Sequence, residues 1–179
     1  MIFKTNWGWV GLAATERGVH AVVLPKPTRR AVERELRTLL NGNSTPTHPS
    51  PLEGEGEGGG RSHAASRHMK AARAAIVAYL EGKARTFDLP LDLDGQPRFR
   101  VKVWKALRSI PYGRVRSYGW VARKVGKPRA ARAIGGACGA NPVPLLVPCH
   151  RVIAGDGSLG GFSGGLSSKK RLLKLEGAM

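Results

Sequence analysis

The residues best placed to do chemistry in this chain are consecutive: Cys149, His150 and Arg151, directly after Pro148. A cysteine is a strong nucleophile as the thiolate, and a nearby base or positive charge lowers its pKa from about 8.5 toward neutrality. His150 can accept the proton and Arg151 can hold charge, so the run predicts an activated thiol rather than an inert one. The competing reading is structural: free cysteine is among the most buried residue types, and His150 could simply face solvent.

The segment that must present Cys149 runs from Asn141 through Pro142, Val143, Pro144, Leu145, Leu146 and Val147 to Pro148. Its three prolines fix φ and push Asn141, Val143 and Val147 toward extended geometry, which predicts a stiff arm. Beyond Cys149 comes a glycine-rich loop from Ile153 to Gly165. Ser167 then offers an N-cap for a last amphipathic helix with Leu172, Leu173 and Leu175 on its apolar side. Glu176 at the end of that helix opposes the macrodipole, so it needs solvent or a cationic partner.

The whole chain narrows the choice of partner. At 179 residues it can bury a core as one domain or two small ones. It has no apolar run of membrane-spanning length and opens without a secretory signal, so no membrane is involved and the expected place is the cytoplasm. Cys138 and Cys149, with no Cys-x-x-Cys spacing, make neither a disulfide framework nor a common zinc site, and no metal is expected. The formal net charge is +18. Between Asp94 and Asp156 there is no acidic residue, yet the stretch holds Arg98, Arg100, Lys102, Lys105, Arg108, Arg114, Arg116, Arg123, Lys124, Lys127, Arg129, Arg132 and Arg151. Such a surplus points to nucleic acid.

Read in order, the chain opens with β-branched and aromatic runs at Phe3 to Val10 and Gly18 to Leu24, expected to pair as a small antiparallel hairpin or meander. Thr28 can cap a helix from Arg29 to Leu40, with Val32, Leu36, Leu39 and Leu40 on one face. Residues 41–63 turn to Gly, Pro, Ser, Thr and Glu, the composition of a flexible insert, and their removal is expected to leave activity intact. A helix from Ala64 to Leu80 and a short strand over Thr86 to Leu91 complete an N-terminal domain, residues 1–94. In the C-terminal domain, residues 95–179, a helix starts at Pro97, another runs from Tyr118 to Val125 behind the N-cap Ser117, and a third runs from Arg129 to about Ala140. The last two have the outline of a helix-turn-helix. Gly135, Gly136 and Gly139 cost that third helix about 1 kcal/mol each against alanine, which suggests close approach of another backbone, either DNA or a second helix.

Taken together, Val103-Trp104, Ser117-Tyr118, Ala130-Ala131-Arg132-Ala133, Asn141-Pro142-Val143-Pro144, Pro148-Cys149-His150-Arg151-Val152 and Gly164-Gly165-Leu166 closely resemble the O6-alkylguanine-DNA alkyltransferases, also called methylated-DNA–protein-cysteine methyltransferases. The resemblance runs from about Phe99 to Glu176. It implies an RNase H-like α/β N-terminal domain with a small antiparallel sheet, and a mainly α, winged-helix-like C-terminal domain carrying the helix-turn-helix. It implies DNA repair by a single, irreversible transfer of the alkyl group from O6-alkylguanine, and more weakly from O4-alkylthymine, to Cys149, with no cofactor. The implied partner is double-stranded DNA containing the lesion, met by a monomer.

Site roles follow from the same resemblance. Cys149 is the acceptor, His150 draws off its proton through a water, and Glu176 orients the imidazole. Tyr118 donates to guanine N3, Ser163 bonds O6 from the loop, and backbone carbonyls near Cys149 and Val152 read the exocyclic amine. Asn141 ties the recognition helix to the arm. Arg132 enters the stack in place of the flipped base, in the minor groove. Ala131, Ser117, Gly135, Gly136, Pro144, Phe162 and Arg151 are placed on the substrate- or DNA-facing side. The chain departs from relatives at Phe162, where some carry tyrosine, and at Cys138, where others carry methionine. It has no N-terminal cysteine for the zinc site of some relatives, and the 41–63 insert has no counterpart. Two other classes compete: a lesion-binding alkyltransferase-like protein, whose known forms lack the cysteine, and a cysteine hydrolase, for which no oxyanion loop is evident.

Overall fold

The computed structural model describes residues 1–42 and 59–179. Most of the 41–63 insert lies outside the described residues. At its edges, 41 and 42 end a helix and 59–63 begin one. The chain divides into two compact units, Met1–Val77 with Asp88–Gln96, and Ala78–Phe87 with Pro97–Met179. This is not the single cut expected near Asp94. Ala78–Phe87 groups with the C-terminal residues because Tyr79, fully buried, hydrogen-bonds Glu176 and meets the Tyr112 ring edge-on at 6.0 Å.

The first unit is α/β. Strands β1 (Ile2–Thr5), β2 (Gly8–Thr15) and β3 (Gly18–Lys26) form an antiparallel meander in the order β1-β2-β3. Helix α1 (Arg29–Gly42) starts where Thr28 Oγ1 accepts the Ala31 N–H at 3.2 Å. Its apolar face puts Val32 and Leu36 against Ala13, Ala21 and Val23 of the sheet, with Leu39 and Leu40 packed beside them. No strand forms over Thr86 to Leu91. Only Leu91 bridges to Val19, because Pro90 has no N–H for a ladder and instead offers its carbonyl to Val19 N at 2.9 Å.

The second unit is mainly helical. It takes the last turn of α2 (Gly59–Leu80), then α3 (Arg98–Arg108), α4 (Tyr118–Lys124), α5 (Ala131–Gly139), a single 3-10 turn at Cys149–Arg151, and α6 (Leu166–Leu175). Strands β4 (Arg116–Ser117) and β5 (Val152–Ile153) pair in parallel. Val103, Trp104 and Leu107 are the buried stripe of α3, and the Trp104 indole N–H donates to the Ala137 carbonyl of α5 at 2.8 Å. Ser117 caps α4 by accepting the Trp120 N–H at 3.1 Å. Helix α4 ends in a Schellman turn, with Gly126 at φ 72° and Lys127 N–H bonded to Ala122 O at 2.9 Å, which brings α5 back against it.

Two local expectations change. Helix α6 begins at Leu166 rather than after a Ser167 cap, since Gly165 at φ 85° makes the entry and Ser167 falls in the first turn. The proline-rich arm is not extended throughout. Pro144 bridges Val147 across a turn in which buried Leu145 takes φ 74°, because proline restricts the residues before it but leaves Leu145 and Leu146 free.

Candidate active site

Cys149 opens the 3-10 turn and is 3% exposed. The residue nevertheless lines a pocket of about 430 Å³, together with Tyr118, Ala131, Arg132, Gly135, Cys138, Gly139, Gly161, Phe162 and Ser163. Asn141 secures the approach from α5. Its Oδ1 accepts Val143 N–H at 3.1 Å, and its Nδ2 donates to Val147 O at 2.9 Å and to Cys149 Sγ at 3.1 Å. One side chain therefore fixes both ends of the arm and touches the Cys149 sulfur.

Behind Cys149 lies a buried charge network. His150 Nε2 is 2.9 Å from Glu176 Oε1, and both side chains are wholly buried. Glu176 is the C-cap of α6, and a Schellman turn at Gly177 (φ 68°) fixes it there. Its carboxylate also accepts Arg151 Nε at 2.9 Å and Nη2 at 2.8 Å, Gly113 N–H at 3.0 Å, and the Tyr79 hydroxyl. Burial alone would raise the Glu176 carboxyl, but hydrogen bonds from His150 and Arg151 hold it down to about 2. It is an anion throughout the useful pH range. His150 moves the other way: burial holds its pKa below the usual imidazole value despite Glu176. With Nε2 facing a carboxylate, the neutral ring carries its proton there, which leaves Nδ1 as a buried acceptor with no hydrogen-bond partner.

These placements correct two expectations. Arg151, expected on the substrate- or DNA-facing side, is not an exposed cation: it is buried, ion-paired with Glu176, and donates from Nη1 to Ile110 O at 2.6 Å. Nor does positive charge on His150 and Arg151 acidify the thiol. Burial pushes Cys149 up, His150 is neutral, and the Arg151 charge is consumed by Glu176. The forces opposing burial at the sulfur are the Asn141 hydrogen bond, the ammonium of Lys169, and backbone hydrogen bonds at Cys149 and His150.

Lys169 was not legible in the sequence. It is wholly buried on α6, and its Nζ donates to the carbonyls of Val152 (2.5 Å), Leu159 and Gly161 (3.4 Å). It thereby ties the glycine-rich loop to the helix. It also occupies the Val152 carbonyl that was expected to read the exocyclic amine; a carbonyl has a second lone pair, but Val152 is buried and does not line the pocket. The other wall of the pocket is Tyr118, whose hydroxyl donates to Gly161 O at 3.4 Å and stays protonated because burial raises its pKa. Cys138, also in the wall, is pushed by burial up to about 12.

The remaining sequence-selected residues divide clearly. Arg132, Ala131 and Ser163 are exposed at the pocket. Gly136 is exposed, and a Cβ built there or at Gly139 would meet nothing within 4 Å. Among the described residues no second helix packs on Gly136 or Gly139, whereas a Cβ at Gly135 would lie 3.9 Å from the Tyr118 ring of α4. Pro144 is buried inside the arm and Ser117 is engaged as a cap, both away from the pocket lining. Among the described residues no three of His, Cys, Asp and Glu gather to hold a metal ion, and no helix is long and apolar enough to cross a membrane. A hollow of about 350 Å³ beside α1, lined by Lys26, Arg34, Glu35 and Thr38 among others, contains neither cysteine nor histidine.

Known proteins resemble this chain in sequence and fold. The family described as 6-O-methylguanine DNA methyltransferase, DNA binding domain, matches residues 98–178. A methylated-DNA–protein-cysteine methyltransferase of Mycobacterium tuberculosis is 52% identical over 101 residues, covering 56% of this chain and 61% of that protein. The inducible enzyme of that name from Bacillus subtilis is 50% identical over 101 residues, 56% of each chain. The matched stretch thus spans about three fifths of the length of these relatives. Among solved structures, Mycobacterium tuberculosis OGT in complex with DNA superposes with TM-score 0.72 at 33% identity, over 99% of this chain and 91% of that one. The O6-methylguanine-DNA methyltransferase of Pyrococcus kodakaraensis gives 0.71 at 26%, over 99% and 97%. Similarity of sequence and fold across almost the whole of both chains, and not in the DNA-binding part alone, shows that this chain belongs to the O6-methylguanine DNA methyltransferase family.

Proposed function

We propose that the chain repairs DNA directly, moving the alkyl group of O6-alkylguanine, and more weakly of O4-alkylthymine, from a flipped base to Cys149. The carrying observation is the position of one residue: Cys149, its Sγ held by Asn141, lines a pocket that also holds Arg132 and the glycine-smoothed face of α5. A base within a duplex cannot bring O6 to a thiol, so it must be extruded, and Arg132 at the exposed edge is the group to fill the stack. Exposed Gly136 lets α5 come close to a DNA backbone, and the minor groove, where sequence readout is degenerate, suits a protein that must act at any sequence.

The chemistry uses neutral partners at rest. His150 Nδ1 takes the thiol proton, through a bridging water as in the family, while Glu176 stabilises the imidazolium that forms. Lys169 favours the emerging thiolate. Sulfur attacks the alkyl carbon in line: the S–C bond forms as the C–O6 bond breaks, and Tyr118 donates its hydroxyl proton to N3 so that guanine leaves neutral. The imidazolium then releases its proton to solvent and the Tyr118 oxygen takes one back, so the net change is one proton passed from the thiol to the departing base. Ser163 and Phe162 bound the base from the loop. The thioether product has no hydrolytic route, so each chain acts once, as a monomer and without a cofactor. The two free thiols suit the reducing cytoplasm.

Mixing the protein with duplex carrying radiolabelled O6-methylguanine tests this. Label on the protein should plateau at one methyl per chain, and Cys149→Ala should bind the duplex but take up none. Repeated turnover, or transfer to the Cys149→Ala variant, would overturn the proposal.

A further inference from the structure

Tyr79 is a buried titratable group to which the mechanism above gives no part. Its ring is 0% exposed at the end of α2, where Gly82 (φ 74°) closes a Schellman turn through Lys83 N–H to Ala78 O at 2.8 Å. Phe87 and Tyr112 hold the ring at centroid distances of 5.0 and 6.0 Å. Its hydroxyl donates to Glu176 Oε1 and lies 3.3 Å from His150 Nε2. We propose that Tyr79 is a positioning residue for the transfer reaction, sharing Glu176 Oε1 with His150 so that the imidazole stays neutral, protonated on Nε2, with Nδ1 free to act as the base. This deepens the function proposed above and rests on it.

The geometry explains why a hydroxyl belongs there. Glu176 Oε1 is shared among Tyr79, His150 and Arg151, and each donor withdraws charge from the others. A carboxylate serving His150 alone would bind the imidazolium too well, and a histidine already protonated at neutral pH cannot accept a thiol proton. The groups facing His150 are Glu176 and Lys169 from α6, Arg151 from the 3-10 turn, and Tyr79 from α2; Tyr112 and Arg85 stand behind Tyr79 and Arg151. Of these, Tyr79 alone is a neutral donor to Oε1, so its hydroxyl can be removed without adding or deleting a charge. Burial raises the Tyr79 pKa, so the hydroxyl remains a donor at every working pH.

Tyr79→Phe keeps the ring and its packing. Removing the hydroxyl concentrates the Glu176 charge on His150, raises the His150 pKa, and moves the acidic limb of the single-turnover transfer rate to higher pH. One hydrogen bond corresponds to a shift of roughly half to one pH unit, so the rate well down the acidic limb falls about three- to tenfold while the rate at pH 8.5 changes less than about twofold. Nitrogen-15 NMR of His150 reads the same event without DNA: the wild type should show the Nε2–H tautomer, and Tyr79→Phe should titrate at higher pH. A rate lowered equally at all pH values, with an unchanged His150 titration, would mean that Tyr79 only packs and would overturn the proposal. A wild-type protein that transfers no methyl to Cys149 would instead defeat the proposed function, whatever the NMR shows.

Discussion

Lys169 shows how much one side chain does here. A buried ammonium is expensive to desolvate, and burial does lower its pKa, yet three carbonyls keep it in place. Lys169→Met should destabilise the fold by roughly 1.5–3 kcal/mol, the range for hydrogen bonds to a charged group, and slow transfer by withdrawing the cation that favours the thiolate. Denaturant melts and the reaction rate of Cys149 with a small disulfide check the two effects; unaltered thiol reactivity would confine Lys169 to a structural role. The buried pair beside it sets the pH response. The Glu176 carboxyl is depressed to about 2, so its contribution to stability is present above the ordinary carboxylate range and is lost as pH falls toward 2. The His150 pKa is also lowered, and as a base held neutral in the fold it takes up a proton on unfolding below about pH 6.5, which again weakens the fold in acid. The melting temperature should therefore fall steadily from pH 7 to pH 3. Glu176→Gln should be less stable at pH 7 and show a shallower slope below pH 4.5; parallel slopes would contradict this account.

At the scale of elements, α5 trades stability for access. Alanine at Gly136 meets no atom within 4 Å and gains about 1 kcal/mol of helix propensity, so Gly136→Ala should melt higher while binding duplex DNA more weakly. A thermal melt and a duplex titration decide it, and unchanged affinity would mean that α5 does not approach DNA through this face. The glycines were readable as an anomaly in the sequence because propensity alone disfavours them. Helix α1 was readable because Thr28 and the Val32, Leu36, Leu39 spacing act locally. Other features depend on contacts distant in sequence. Tyr79 sits at helical spacing with Ile76 and Leu80 and reads as core, and only its bond to Glu176, 97 residues away, gives it a further part. Arg151 read as a free cation for the same reason, since its partner is 25 residues on. The strand expected at Thr86 to Leu91 fails because composition does not show that Pro90 faces a ladder.

For the molecule as a whole, charge and chemistry are concentrated in the same part of the chain. From residue 95 onward there are 17 Lys and Arg against Asp156 and Glu176, and Glu176 is buried in its own ion pair. Duplex binding should therefore weaken with salt. Neutralising about four phosphates gives roughly a hundredfold loss between 50 and 200 mM, read as the slope of log affinity on log salt. A flat slope would remove DNA as the partner of this surface. The Cys149-His150-Arg151 run and the basic helix-turn-helix could be read from the sequence because they are short, local motifs. The manner of activation could not, since it depends on burial, which leaves the thiol and imidazole neutral at rest and commits Arg151 to Glu176. The most direct measurement is the intact and peptide mass of the protein after mixing with a duplex containing O6-methylguanine. We predict one added methyl, located on the Cys149 peptide and absent from Cys138; an unmodified Cys149, or methyl groups that turn over, would contradict the account.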